Sequence, residues 1–272
     1  MRKRMVLPLI ASAGAVLWPG AAPAAEADPA LIVDADGDGG LGTAVHAPTL
    51  SGSASGSLTA SVSRRGSGTV TIGRSPTTTT DRALRFPAYT GTAARNAVIA
   101  IRNTGGADAL AVGAGDFSWQ ADFVQDLDLG DVPAEGDNIV QRGLWGGAQW
   151  KLSADRRRVA CHQRVDGAGA AIATPKVTLG RGWFRATCAR TNTATADRAT
   201  LTLTVQRWNG TAWVPLGQPQ VSPSNAYGPL TFPAGVPVSI GGKVGSAPPH
   251  PVPAQPDQFN GSIDNVVVRI GP

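Results

Sequence analysis

The chain has 272 residues, with 24 Lys and Arg against 19 Asp and Glu, for a formal charge of +5. Three of those cations, Arg2, Lys3 and Arg4, belong to a leader-like start, so 21 basic groups face 19 acidic ones from Ala25 onward. Apart from Arg64-Arg65 and Arg156 to Arg158 the arginines beyond the leader are scattered singly, without the basic stripe a nucleic-acid surface requires, so no nucleic-acid partner is expected.

Arg2 to Arg4 are followed by an apolar run from Met5 to Trp18 and by the small-residue stretch Ala21 to Ala27. This three-part layout is that of a secretory signal peptide over residues 1–27, with cleavage leaving Ala25 or Asp28 at the new N-terminus and a single domain over 28–272. The apolar run falls short of the roughly 20 residues a spanning helix needs. No later run approaches that length, so we expect a secreted, extracellular protein without a transmembrane anchor. Gly (34) and Pro (21) are about a fifth of the chain, below the level of low-complexity disorder.

Asp34, Asp36, Asp38 and Gly39 have the start of a calcium-loop spacing, but the twelfth position is Val45 where such a loop carries a bidentate Glu. An acidic turn leaving a first strand is the stronger reading. No metal site is assigned, and calcium is the only cofactor the sequence raises. Further on, Leu58, Ala60 and Val62 and then Val70 and Ile72 alternate with polar residues around Arg64 to Gly68. That pattern predicts a β-hairpin with a five-residue loop, followed by a loose loop at Pro76 to Thr80.

Strict alternation recurs at Phe117 to Phe123, at Leu201 to Val205 and at Val266 to Ile270, the signature of half-buried strands. No segment of ten residues carries a helical apolar stripe, and Gly, Asn-Gly and Pro punctuation arrives every few residues. The fold class is therefore all-β, an antiparallel two-sheet β-sandwich. Within it, Trp208-Asn209-Gly210-Thr211-Ala212-Trp213 reads as a second hairpin. Cys161 and Cys188 are the only cysteines, and in an exported chain they are expected to form a disulfide rather than a reactive thiol.

The stretches Asn138 to Trp145, Gln149 to Leu152, Val159 to Cys161, Gly182 to Thr191, Pro237 to Lys243 and Phe259 to Val266 follow one another in an order that resembles the laminin-G-like domains of exported bacterial proteins. Those domains belong to the concanavalin A-like jelly rolls. Ala30 to Asp34 resembles their first strand, which lies near the last. Two features depart from the pattern: Phe184 stands where the central strand usually has His after its Trp, and the Asp-Ser-Ser-Gly-Asn turn after the first strand is missing. The resemblance implies a sandwich over 28–272 and a lectin-like role, without a transferable ligand site.

Candidate chemistry is sparse. Glu135 is the sole Glu beyond the leader region, so the paired glutamates of glycosidases on this architecture are absent. Asp122, Asp126, Asp128, Asp131 and Asp137 crowd one region and read as solvated loop acids. His46, His162 and His250 are scattered, and no G-x-S-x-G elbow occurs. No catalytic residue is assigned. Trp119 and Trp183 read as core. Trp145 and Trp150, bracketing Gly146 to Gln149, and Trp208 and Trp213, flanking Asn209-Gly210, are the candidate ligand-binding rings. The expected function is a non-catalytic module binding carbohydrate or a cell-envelope polymer. A structural or adhesive protein binding a surface protein is the alternative, and an Asp-based carbohydrate-active enzyme is a weaker third.

Overall fold

A computed structural model describes residues 27–88, 95–126, 137–144, 146–155, 157–165, 169–173, 178–192, 199–223, 228–233, 235–245 and 257–271. The leader lies outside these residues apart from Ala27. The first strands are β1 (Pro29–Asp34), β2 (Thr49–Ser51), β3 (Leu58–Gly66), β4 (Thr71–Arg74), β5 (Arg82–Arg85), β6 (Arg95–Asn103) and β7 (Phe117–Gln125). There follow β8 (Asp137–Gly143), β9 (Gln149–Asp155), β10 (Arg158–Val165), β11 (Gly169–Ala173) and β12 (Phe184–Asn192). The last are β13 (Ala199–Trp208), β14 (Trp213–Pro215), β15 (Gln220–Pro223), β16 (Val238–Ile240) and β17 (Gly261–Ile270). One 3-10 turn, Ser55–Ser57, is the only helical element among the described residues.

Two antiparallel sheets result, as the alternation and the turn signals require. Among the described residues sheet A has ten strands, running β14-β13-β12-β7-β17-β1-β2, with β15 beside β13 and the β4-β5 pair attached to β17. Sheet B has seven, in the order β11-β10-β9-β8-β16-β6-β3. First and last strands are neighbours, with Val33 opposite Val266. In β13, Leu201, Leu203 and Val205 are buried while Thr200, Thr202 and Thr204 stay partly exposed, so one face meets the core and the other meets water.

Between the sheets lies one large core. Trp119 of β7 and Trp150 of β9 meet across it with ring centres 5.6 Å apart, and Phe117 stacks on Trp119 at 4.8 Å. Beside them the Cys161–Cys188 disulfide ties β10 of sheet B to β12 of sheet A, with Cα atoms 5.8 Å apart and both residues fully buried. Closing a loop between cysteines 27 residues apart stabilises the fold by about 3 to 4 kcal/mol in the chain-entropy account.

The expected hairpin over Leu58 to Ile72 is not formed. β3 pairs with β6 in sheet B, whereas β4 pairs with β5 in sheet A, so the chain crosses between layers at Gly66 to Val70. Gly68 makes the crossing by lying against the backbone of β6, where a Cβ would come within 2.2 Å of the Asn96 carbonyl oxygen. The Thr-rich segment closes the β4-β5 hairpin instead, and the Thr78 hydroxyl accepts from the Asp81 amide at 3.0 Å. Trp183 also differs from expectation: it precedes β12, is partly exposed, and its carbonyl accepts from the Trp208 amide at 3.0 Å.

Candidate functional site

Since Trp150, Leu152 and Ala154 of β9 point into the core, Lys151 and Ser153 must point to the opposite, outer face of sheet B. The register places His162, Lys151, Gln141, Ser239, Ala100 and Ser61 side by side across that face. The chain leaving β16 then folds over it, and Val244 packs on Val98 and Ala100 in a small separate apolar cluster. Between this cover and the β8-β9 turn is a cavity of about 210 Å³.

Gln141 and Ser239 supply the polar floor, Leu144, Gly146, Gly147 and Ala148 form one wall, and Phe232, Pro233, Val236 and Pro237 form the other. Both floor residues are almost fully buried. Gln141 Nε2 donates to the Gly143 carbonyl at 3.2 Å, and its Oε1 accepts from Asn138 Nδ2 at 2.6 Å, so the amide is held in one orientation. Gly143, at φ +76°, allows the turn to fold back: a Cβ there would lie 2.0 Å from the Ala148 carbonyl oxygen and 3.0 Å from the Phe232 ring.

Behind the Phe232 wall stands Arg142. Its guanidinium lies 4.5 Å from the centre of the Phe232 ring. It donates to the Leu110 carbonyl at 2.8 Å, to Asp108 Oδ1 at 2.9 Å and to the Val236 carbonyl at 3.4 Å. The same side chain thus fixes both ends of the wall.

The four candidate tryptophans separate. Trp150 is 1 % exposed and belongs to the core of β9, so it is removed from the ligand platform; the glycine turn ends at Ala148, two residues before it. Trp145 lies outside the described residues, although its neighbours Leu144 and Gly146 line the cavity. Trp208 and Trp213 sit on sheet A, opposite each other across the β13-β14 hairpin with ring centres 5.3 Å apart. The Asn209-Gly210 turn is formed as expected: Asn209 Oδ1 accepts from the amides of Thr211 and Ala212, each at 2.9 Å, and Gly210 has φ +105°. Arg185 lies 4.6 Å from the Trp213 ring centre.

The acids expected in solvent are engaged. Asp122 is fully buried and accepts from Arg185 Nε at 2.6 Å and Nη2 at 2.7 Å; Asp126 pairs with Arg85, Nη1 to Oδ1 at 2.9 Å. Asp128, Asp131 and Glu135 lie outside the described residues, as does His250. In the acidic turn, Asp34 accepts from the Asp36 amide, Asp36 from the Arg82 amide and Asp38 from Thr49, which stitches β1 to β2 and β5. No group of three or more His, Cys, Asp or Glu among the described residues is set to hold a metal ion. His162 faces Ser153 at 3.3 Å, and burial together with Lys151 pushes its imidazole down to about 3. It stays neutral and is a poor proton acceptor, while His46 is held against Arg64 at 2.8 Å.

No protein-family model matches the chain, and no curated protein matches it. Among solved structures it is similar to the binding domain of Paraclostridial mosquitocidal protein 1, at 9 % identity, 90 % of this chain, 49 % of that one and TM-score 0.47. The binding domain of botulinum neurotoxin serotype G follows the chain over 89 % of this chain and 48 % of that one, at 12 % identity and TM-score 0.48. That of botulinum neurotoxin DC, solved in complex with rat synaptotagmin II, does so over 89 % and 48 %, at 8 % identity and TM-score 0.43. The chain spans about half the length of these structures. No helix among the described residues is long and apolar enough to cross a membrane.

Asp137 has a consequence for stability. It is 4 % exposed, accepts from Gln125 Nε2 at 2.7 Å, and its Oδ1 has no hydrogen-bond partner. Burial pushes its carboxyl up to about 7. A group raised in the folded state favours folding least where the unfolded chain ionises and the folded one does not, so its contribution falls between about pH 4 and pH 7 and is lost above. Asp137→Asn, neutral throughout, should match the parent protein at pH 4 and exceed it at pH 8 by an amount on the order of a few kcal/mol. Urea unfolding at both pH values checks this, and equal midpoints at pH 8 would show that Asp137 is not buried as described.

Proposed function

We propose that the chain is an exported, non-catalytic recognition module of the laminin-G-like type, and that its cavity on the outer face of sheet B takes one sugar ring of a carbohydrate or cell-envelope polymer. The observation that carries this reading is the division of the cavity into apolar walls and a buried polar floor. A sugar ring has the same division: its C–H faces suit Phe232, Pro233 and Val236, and its hydroxyls suit Gln141 and Ser239. At about 210 Å³ the space is below the roughly 300 Å³ at which pockets begin to hold drug-sized ligands, which suits a single ring or a chain end. Export rests on the leader pattern and on a disulfide suited to an oxidising compartment. The non-catalytic reading rests on Asp122 and Asp126 being committed to arginines and His162 being held neutral.

Calorimetric titration with envelope-derived oligosaccharides tests the proposal. Binding should saturate without release of reducing ends, and Phe232→Ala should weaken it roughly tenfold by removing the aromatic wall. A Phe232→Ala protein with unchanged affinity would move the site elsewhere. The Trp208-Trp213 corner is where it would go. Two indoles beside Arg185 have the composition of a protein-contact surface, and a Trp208→Ala variant that alone abolished capture of a surface protein would favour the adhesive reading.

A further inference from the structure

Resting on that reading, we propose that the sugar ring taken by the cavity carries an acetamido group, as an N-acetylhexosamine does, and that Ser239, Gln141 and Val244 at the inner end select it. The lining is graded from mouth to floor. Leu144, Gly146 and Pro233 are exposed, whereas Gln141, Ser239, Pro237 and Val244 are buried.

Ser239 of β16 and Gln141 of β8 are directly opposite in the antiparallel register, a pairing that sets side chains about 5 Å apart. Ser239 is 2 % exposed, and among the described residues no hydrogen bond reaches its hydroxyl. A hydroxyl withdrawn from water without a partner is costly, and this one lines the cavity. Gln141 is only half used. Its Nε2 gives one hydrogen to the Gly143 carbonyl and its Oε1 takes one from Asn138 Nδ2, which leaves one donor and one acceptor position on an amide of fixed orientation. The inner end therefore offers two donors from adjacent strands. A single carbonyl oxygen, with two lone pairs, accepts from both.

Beside them is Val244, which lines the cavity from the segment after β16 and packs on Val98 and Ala100. A ring hydroxyl at the inner end would serve Ser239 or Gln141 but place no carbon on Val244 and Pro237. A charged substituent fares worse, because among the described residues no charged side chain lines the cavity and a desolvated charge without a partner is strongly disfavoured. An acetamido group supplies a carbonyl oxygen for the two donors, an N–H for Gln141 Oε1 and a methyl for Val244, in one neutral planar unit. The ring that carries it then lies nearer the mouth, with its C–H faces between Phe232 and Leu144.

The test uses the purified chain and methyl glycosides of three kinds, each in gluco and galacto configuration: N-acetylhexosamines, their N-formyl analogues and the plain hexoses. Envelope-derived oligosaccharides are titrated alongside, and affinities are read from backbone amide shifts in NMR spectra. One net hydrogen bond is a factor of about five and one buried methyl a factor of about four. The better N-acetyl glycoside should therefore bind roughly fourfold more tightly than its N-formyl analogue and roughly tenfold or more above the hexose. Ser239→Ala should lower N-acetyl affinity about fivefold with an unchanged thermal melt, since the hydroxyl holds nothing in the protein. Val244→Thr, of nearly constant volume, should erase the preference for acetyl over formyl. Equal binding of N-acetyl glycoside and hexose, parent affinity in Ser239→Ala, or a full acetyl preference in Val244→Thr overturns the acetamido assignment; binding of the envelope-derived oligosaccharides in that case leaves the sugar-binding cavity standing. Absence of binding by every sugar overturns both.

Discussion

Trp150→Ala is expected to destabilise the protein by about 3 to 5 kcal/mol, the range for truncating a buried aromatic to Ala. The indole is 1 % exposed, and its ring centre lies 5.6 Å from that of Trp119 and 6.5 Å from that of Phe117. No small shift of either sheet refills that space, because the Cys161–Cys188 bond fixes the separation of the layers close by. Trp150→Phe separates volume from polarity. The Trp150 Nε1 hydrogen has no acceptor, so the smaller ring leaves a modest cavity but removes an unsatisfied donor, and a loss below about 1.5 kcal/mol is expected. Urea unfolding reads both values. An Ala variant with the parent midpoint and no ligand affinity would instead place the ring at the ligand.

That residue also shows how the sequence is to be read. Gly146 and Gly147 suggest a turn carrying exposed rings, yet Trp150, Leu152 and Ala154 alternate with Lys151, Ser153 and Asp155, and it is the alternation that decides the side. Fold class, the Asn209-Gly210 hairpin and the disulfide are legible because each depends on local pattern or on a count of two cysteines, whereas the meeting of first and last strands is legible only through the resemblance to laminin-G-like domains. The β3-β4 hairpin is misread for the opposite reason. Both segments have the right pattern for pairing, but β3 finds its partner 29 to 45 residues later in β6, and only the packing of Gly68 on Asn96 shows the change of layer.

The acids illustrate the same limit. Asp122 reads as solvated because its arginine is 63 residues away, and Asp126 because its partner is 41 residues away. The cavity is less legible still: Gln141, Phe232 and Ser239 belong to three separate segments, and each is unremarkable alone. What could have marked the site is the Gln141 to Gly147 stretch, where a strand ends in glycines before another begins.

The second large effect is expected at Arg142. Its side chain is 2 % exposed and its ion pair with Asp108, at 2.9 Å, is its only charged contact among the described residues. Breaking a buried pair by removing one member costs about 3 to 5 kcal/mol when the other charge is left uncompensated. Arg142→Met should fall at the lower end of that range. Asp108 is 27 % exposed and still accepts from Asn103 Nδ2 and from the Leu110 amide, so the orphaned carboxylate keeps two donors and some water. The carbonyls of Leu110 and Val236 fare worse, since the guanidinium serves both. Val236 and Phe232 also wall the cavity, so ligand affinity should fall with stability, whereas Asp108→Asn should reduce stability modestly and leave affinity near the parent value. Arg142→Lys retains a charge but not the fork that reaches three acceptors, and it should recover part of the stability while leaving the wall loose. Unfolding midpoints and calorimetric affinities for the four proteins, parent included, separate the two roles: if Arg142→Met lost stability with full affinity, Arg142 would hold the sandwich together without shaping the cavity.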